Sequence, residues 1–277
     1  MSSRDHDRTD LSGLVDRARD GDMSALGQLL GAVRDNVYRL ALRMTACPSD
    51  AEDATQEILI KTMARLDTYR GDAAVTTWVY RIAVNHLLDR KKSRVEQLGM
   101  SFEDFAADLR DGLAEPSERS EPDLDLLARE VKRGCTLAML TCLERDLRIA
   151  YVLGEILDLP APMAASICSI SEAAQRKRLS RARHRIREFV ERNCGLVNPD
   201  GAACRCRRRV SVAIATGRIV PSDVRNSASA VDEAAAELDM LYDAGRLMRS
   251  HPDYHAPERV TEQIVQLVRS GRFRVFE

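Results

Sequence analysis

The chain has 277 residues, a net charge of −1, and 31% charged against 44% hydrophobic residues, enough to bury a core. At ~150 residues per domain it should hold about two domains. With 14 Gly, 9 Pro and only 4% aromatic residues it is poor in turn and strand formers, which points to an all-α fold. Its longest uncharged stretch, Leu159–Ser171, is thirteen residues with two prolines, short of the ~18 apolar residues of a membrane span. Met1–Asp10 is too polar for a signal peptide. A cytoplasmic protein is expected, so the seven cysteines should be thiols or metal ligands rather than a disulfide framework.

Leu26, Leu29, Leu30, Val33, Val37 and Leu40 follow 3/4 spacing, which predicts a helix after the Gly21-Asp22 turn. Ser49 or Asp50 can cap a second helix, about 50–67, whose apolar stripe is Leu59, Met63 and Leu66 with Ala54 and Ile58. Asp53, Glu57 and Lys61 share its polar face, beside Glu52 and Gln56. Such an acidic face suits a basic protein partner rather than DNA; the plainer reading is a solvated face with a Glu57–Lys61 pair. After the turn Tyr69–Asp72 a third helix spans about 76–92. On it Trp78, Arg81 and Asn85 share a face, while Val79, Ile82 and Ala83 point to the core. An aromatic, a cation and an amide together can stack on an unpaired base, hold its phosphate and read its edge. Alternatively Trp78 is a half-buried packing residue; His86 reads as a packing residue. These helices form one domain, 10–93.

Residues 94–125 hold ten Asp/Glu against three Arg. With two Pro and two Gly and no sustained period, 94–123 reads as an acidic linker, flexible at least in part. Helices then follow at about 124–142, 145–157, 161–168 and 171–192, a second domain. Residues 171–209 hold twelve Arg/Lys against four Asp/Glu, an electrostatic footprint for nucleic acid. A short helix, the connection Ser169-Ile170-Ser171 and a long basic helix make a helix-turn-helix arrangement. Ser171 can cap the second helix. Glu172, Gln175, Arg176 and Lys177 occupy its first two turns, which reach base edges in such motifs, with Ser180 following. Arg181, Arg183, Arg185 and Arg187 are placed for phosphates. Leu179, Ile186 and Val190 supply a core stripe; an αα-hairpin with a solvated charged face is the plain alternative.

From 193 to 277 the composition changes. Cys194, Cys204 and Cys206 could ligate Zn²⁺, with His184, His251, His255 or Cys168 as a fourth ligand. They could equally be free thiols or a reversible disulfide, and Arg205, Arg207, Arg208 and Arg209 would lower their pKa. Val210, Val212 and Ile214 alternate, and two helices are expected at 230–250 and 257–269. No phosphate-binding glycine loop, H-E-x-x-H or other catalytic constellation stands out.

Several stretches carry a family resemblance. L-P-A-P-M-A-A-S-I-C-S-I-S-E-A-A-Q-R-K-R-L-S-R-A-R (Leu159–Arg183) resembles the promoter-binding module of the extracytoplasmic-function sigma factors, preceded by a fitting helix R-D-L-R-I-A-Y-V-L-G-E-I-L (Arg145–Leu157). D-A-E-D-A-T-Q-E-I-L-I-K (Asp50–Lys61) resembles their polymerase-binding helix. Y-R-G-D-A-A-V-T-T-W-V-Y-R-I-A-V-N-H-L-L-D-R (Tyr69–Arg90) resembles their promoter-melting segment. Ser169 stands where the family has Gly, and Gln175 where it has an apolar residue. The resemblance implies that Asp50, Glu52, Asp53, Gln56 and Glu57 meet the clamp helices of the core RNA polymerase largest subunit. It implies that Arg70, Gly71 and Asp72 with Trp78, Arg81 and Asn85 hold the minus-ten strand. It places Ser171, Glu172, Gln175, Arg176, Lys177, Ser180, Arg181 and Arg183 at the minus-thirty-five element, and it implies a non-enzymatic protein with no required cofactor, open to an anti-sigma factor. A stand-alone, homodimeric helix-turn-helix regulator is the rival reading. A third is a metal-sensing or enzymatic extension that uses the rest as its output.

Overall fold

A computed structural model describes residues 3–113, 122–222, 244–249, 254–257 and 259–269. In chain order its helices are α1 (Ser3–Arg19), α2 (Met23–Thr45), α3 (Pro48–Met63), α4 (Val75–Asp89), α5 (Arg94–Gln97), α6 (Phe102–Arg110) and α7 (Pro122–Thr141). They continue as α8 (Arg145–Tyr151), α9 (Ala161–Cys168), α10 (Glu172–Asn193), α11 (Cys206–Ala215), α12 (Ala244–Arg249) and α13 (Arg259–Arg269). Among the described residues the β structure is a single isolated bridge, Cys194 to Cys204, so the fold is all-α. No described helix is long and apolar enough to cross a membrane.

Two compact units emerge, each assembled from separate stretches of chain: 1–93, 160–175 and 253–277 in one, 94–159 and 176–252 in the other. The contiguous domains expected at 10–93 and 124–192 do not coincide with them.

In the first unit, Asp22 caps α2, its Oδ1 accepting from Ser24 N at 2.9 Å and Ala25 N at 3.0 Å. Ala46, left-handed at φ 52°, ends that helix, and Pro48 opens α3 where its missing N–H costs nothing. The stripe Leu26, Leu29, Leu30, Val33, Val37 and Leu40 is buried, together with Ile58, Leu59 and Met63 of α3 and Val79, Ile82 and Ala83 of α4. Burial of each large side chain contributes about 1.5–3 kcal/mol. Helix α9 packs on α4, burying Ala164, Ala165 and Ile167, and α13 packs on α2 and α3.

The second unit corrects the reading of the acidic linker. Residues 94–110 include α5 and α6, both packed. Ser101 and Asp104 form a reciprocal capping box on α6. Phe102, Phe105 and Leu109 are an apolar stripe hidden among carboxylates; Phe105 stacks on Phe189 with centroids 5.3 Å apart. Glu96 is buried because Arg145 and Arg148 neutralise it. Residues 114–121 lie outside the described part. The alternating run 210–214 belongs to helix α11, which lies along α7 and buries Arg209, Val210 and Ala213. The carboxylate of Asp108 takes the charge of Arg209 and Arg218. Most of the helix expected at 230–250 lies outside the described residues; α12 is its described part.

Candidate functional site

The acidic face begins on α3. Ala51, Ala54, Thr55, Ile58 and Leu59 face inward, which leaves Asp53 and Glu57 exposed. Asp50 is held at the helix start by Arg90, whose Nη1 donates to the Asp50 carbonyl at 2.8 Å. His86 of α4 lies buried behind this face. Its burial, and then the Lys61 ammonium, hold its pKa below the ordinary value. The neutral ring accepts from Lys61 Nζ at 2.7 Å through Nδ1, while Nε2 faces Glu57 Oε2 at 3.5 Å. Glu52 and Gln56, half-buried, are engaged by α13: Arg259 pairs with Glu52, and Gln56 Nε2 donates to Gln263 Oε1 at 3.4 Å. The sequence contained no sign of that last contact.

The second surface is α4 with the loop before it. Arg70, Gly71 and Asp72 are exposed, and Gly71 supplies the positive φ of 79° that the turn requires. Trp78 is half-buried and tilted against Tyr69, centroids 5.6 Å apart. Tyr69 in turn donates to the Ala73 carbonyl at 2.9 Å, and Arg19 donates to the carbonyls of Leu66 and Tyr69. The loop and the Trp78 ring are thus fixed from α1, a support that local patterning did not reveal. Arg81 and Asn85 are exposed on the same face, and Arg81 Nη2 donates to Ser166 Oγ of α9 at 2.8 Å.

The third surface is α10. Ser171 caps it, its Oγ accepting from Ala174 N at 3.2 Å. Glu172, Arg176, Lys177, Ser180, Arg181 and Arg183 are exposed. Gln175 is not: at 1% exposure it occupies the inward position where the family pattern has an apolar residue, so it does not present its amide to a groove. Arg183 Nε pairs with Glu155 at 2.5 Å and Arg178 with Asp146 at 2.7 Å. Leu179 seats against Gly154, at a π-helical turn, Val152–Ile156, where a Cβ would come within 2.7 Å of it.

The cysteines of the extension gather with one that the sequence did not single out. Gly195 N donates to Cys204 O at 2.9 Å, Cys206 starts α11, and α11 lies on α7, which carries Cys135. Burial raises all four thiols, Cys204 to about 11 and Cys206 to about 12, and Cys194, Cys206 and Cys204 push Cys135 up further. The arginines do act in the expected direction, Arg209, Arg205 and Arg208 on Cys204 and Arg205 on Cys194, but burial outweighs them. The guanidiniums themselves are hydrogen-bonded or paired, Arg205 to the carbonyls of Ala202, Cys204 and Pro199, Arg207 to Asp125, Arg209 to Asp108. Among the described residues no group of three or more His, Cys, Asp or Glu side chains is disposed to hold a metal ion.

Residues 29–96, which carry the first two surfaces, match the sigma-70 region 2 family. Over 181 residues the chain is 33% identical to the ECF RNA polymerase sigma-E factor of Escherichia coli (strain K12), covering 64% of this chain and 93% of that protein. It is 30% identical over 182 residues to the RNA polymerase sigma-H factor of Pseudomonas aeruginosa, covering 64% and 92%. Among solved structures, CnrH in complex with the cytosolic domain of CnrY aligns at TM-score 0.46 and 20% identity, over 64% of this chain and 95% of that one. Identity at this level across nearly the whole length of the sigma-E factor, with the region 2 match lying on the acidic and aromatic faces just described, means that the chain belongs to the extracytoplasmic-function (ECF) RNA polymerase sigma factors.

Proposed function

We propose that this sigma factor docks through the acidic face of α3 on the basic clamp helices of the core polymerase largest subunit and brings two DNA-reading surfaces to the promoter. The observation that carries the reading is the solvent-facing pair Asp53 and Glu57, set on a helix whose opposite face is fully committed to the core. Opposite charge at such a face sets encounter rate and register. Trp78, Arg81 and Asn85, with the loop Arg70–Asp72, hold an unstacked base of the minus-ten strand: ring for the base, guanidinium for the phosphate, amide for the edge. Glu172, Arg176, Lys177 and Ser180 read the minus-thirty-five element in the major groove, and Arg181 and Arg183 meet phosphates. The protein catalyses no bond change; it lends recognition and strand separation to the polymerase, in the cytoplasm, and an anti-sigma factor would act by masking these same faces.

The test is the double charge reversal Asp53→Lys, Glu57→Lys. Both side chains point to solvent, so the helical circular dichroism should stay as in the wild type. Binding to core polymerase should weaken by at least about tenfold, since like charges facing each other at an interface cost several kcal/mol. Unchanged affinity in a folded double variant counts against the docking face.

A further inference from the structure

We infer that the C-terminal segment, residues 254–257 together with α13, is a built-in competitor that occupies part of the polymerase-docking face in the free protein. The inference rests on the docking role of α3 proposed above and adds what controls it. The segment lies beyond the stretches that carry the family resemblance, yet it is packed on α2 and α3, in the same compact unit.

Its contacts run from Tyr254 to Ile264. Tyr254 is buried with its ring centroid 5.3 Å from Arg43 Cζ. Asp35 of α2 receives two hydrogen bonds, one with His255 Nδ1 at 2.8 Å and one from Ala256 N at 3.2 Å. In α13, Val260 and Ile264 stand one helical turn apart and are both buried, an apolar seam laid against the helix pair. Arg259 opens α13 and pairs with Glu52, so a guanidinium and the positive end of a helix meet an α3 carboxylate. Gln263 meets Gln56 one turn further on.

Glu52 and Gln56 are two of the five residues assigned to polymerase docking; α13 meets Glu52 with a guanidinium, the kind of group expected of a basic partner, and Gln56 with an amide oxygen. Asp53 and Glu57 stay exposed, so an arriving partner can begin on them. Completing the contact requires α13 to leave. Polymerase and α13 therefore compete for one face, and the apparent affinity for polymerase falls by the fraction of molecules in which the face is open.

Full-length protein carrying Val260→Asp with Ile264→Asp places two carboxylates in the apolar seam and should release α13 without touching a docking residue. Amide hydrogen exchange over 259–269 should rise while that of α2–α4 stays slow. Core polymerase should then bind about tenfold tighter, the factor lost when about a tenth of the molecules are open. A synthetic peptide of residues 254–269 added to the released variant should return its affinity toward the wild-type value. In the wild type, binding of core polymerase should speed exchange over 259–269 and slow it over α3. If the double variant keeps wild-type exchange, adding Arg259→Glu turns the Glu52 ion pair into a repulsion and completes the release. Wild-type affinity in a released protein, or continued protection of 259–269 in the polymerase complex, overturns the inference. The Asp53→Lys, Glu57→Lys protein separates the two ideas. If that protein loses binding and the released one gains nothing, docking stands and the competitor falls; if the reversal has no effect either, the docking reading has failed.

Discussion

Glu96 lies between two guanidiniums, with Arg145 donating to it at 2.9 and 2.8 Å and Arg148 at 2.7 Å. Arg148, itself buried, also donates to the carbonyls of Leu140, Thr141 and Leu143 at the end of α7 and just beyond it. One carboxylate thus ties the start of the acidic stretch to two helices. Glu96→Ala would leave Arg148 buried without its counter-charge, and the expected loss of stability is about 3–5 kcal/mol, read by urea unfolding. A loss below about 1 kcal/mol would place the pair in the class of exposed ion pairs instead. The thiols give a second residue-level expectation. Their pKa is raised by burial, so the fold favours the protonated form: its stability contribution is whole below the ordinary value of 9.0 and is lost as pH rises toward 11 to 12. Alkylation of Cys204 and Cys206 by iodoacetamide should accordingly be slow at neutral pH and quicken as the pH rises; rapid labelling at neutral pH would contradict their burial. Cys194, Cys204 and Cys206 were legible as a set from spacing. Cys135 was not, because only the packing of α11 on α7 brings it in, and no periodicity encodes that. The arginines beside the thiols misled for a related reason: spacing does not show how far the thiols are buried, and burial outweighs the guanidinium charge.

At the scale of elements, the proposed reading puts two kinds of contact along α10. Arg176, in its second turn, is assigned to a base edge, and Arg187, further along, to the phosphate backbone. Arg176→Ala should cost about 1–3 kcal/mol and relax preference at one promoter position. Arg187→Ala should weaken all sequences alike and reduce the salt slope by about one. Holoenzyme binding to a promoter set at several salt concentrations distinguishes them; an equal loss at every position for Arg176→Ala would remove it from base reading. The helices that periodicity revealed, among them α2, α3, α4 and α10, have stripes of large aliphatic side chains or a side-chain cap. Those it missed have mixed signals. In α6 the apolar stripe Phe102, Phe105 and Leu109 is outnumbered by its acidic neighbours. In α11, Val210, Val212 and Ile214 match a strand period, yet the residues that bury are Arg209, Val210 and Ala213, a helical set that includes a charge paired with Asp108. Gln175 is the converse: polar in sequence, interior in place.

For the whole molecule, the net charge of −1 conceals the contrast between an acidic face on α3 and a basic helix α10. Chain order did not reveal the compact units, because each draws on distant stretches: α9 comes to α4, and α13 to α2 and α3. Such contacts are settled by tertiary packing, which leaves no local period to read. The seat of α13 also has a consequence for dosage. A separate inhibitor can be diluted away or outnumbered, and its effect depends on the ratio of two proteins in the cell. A covering helix on the same chain is present once per molecule at every expression level, and its effective concentration is set by the tether rather than by synthesis. Making more of this sigma factor would therefore deliver more covered molecules, each with its own cover, and the open fraction would stay the same. Only a binder that prefers the uncovered face, or a change within the chain, can raise that fraction.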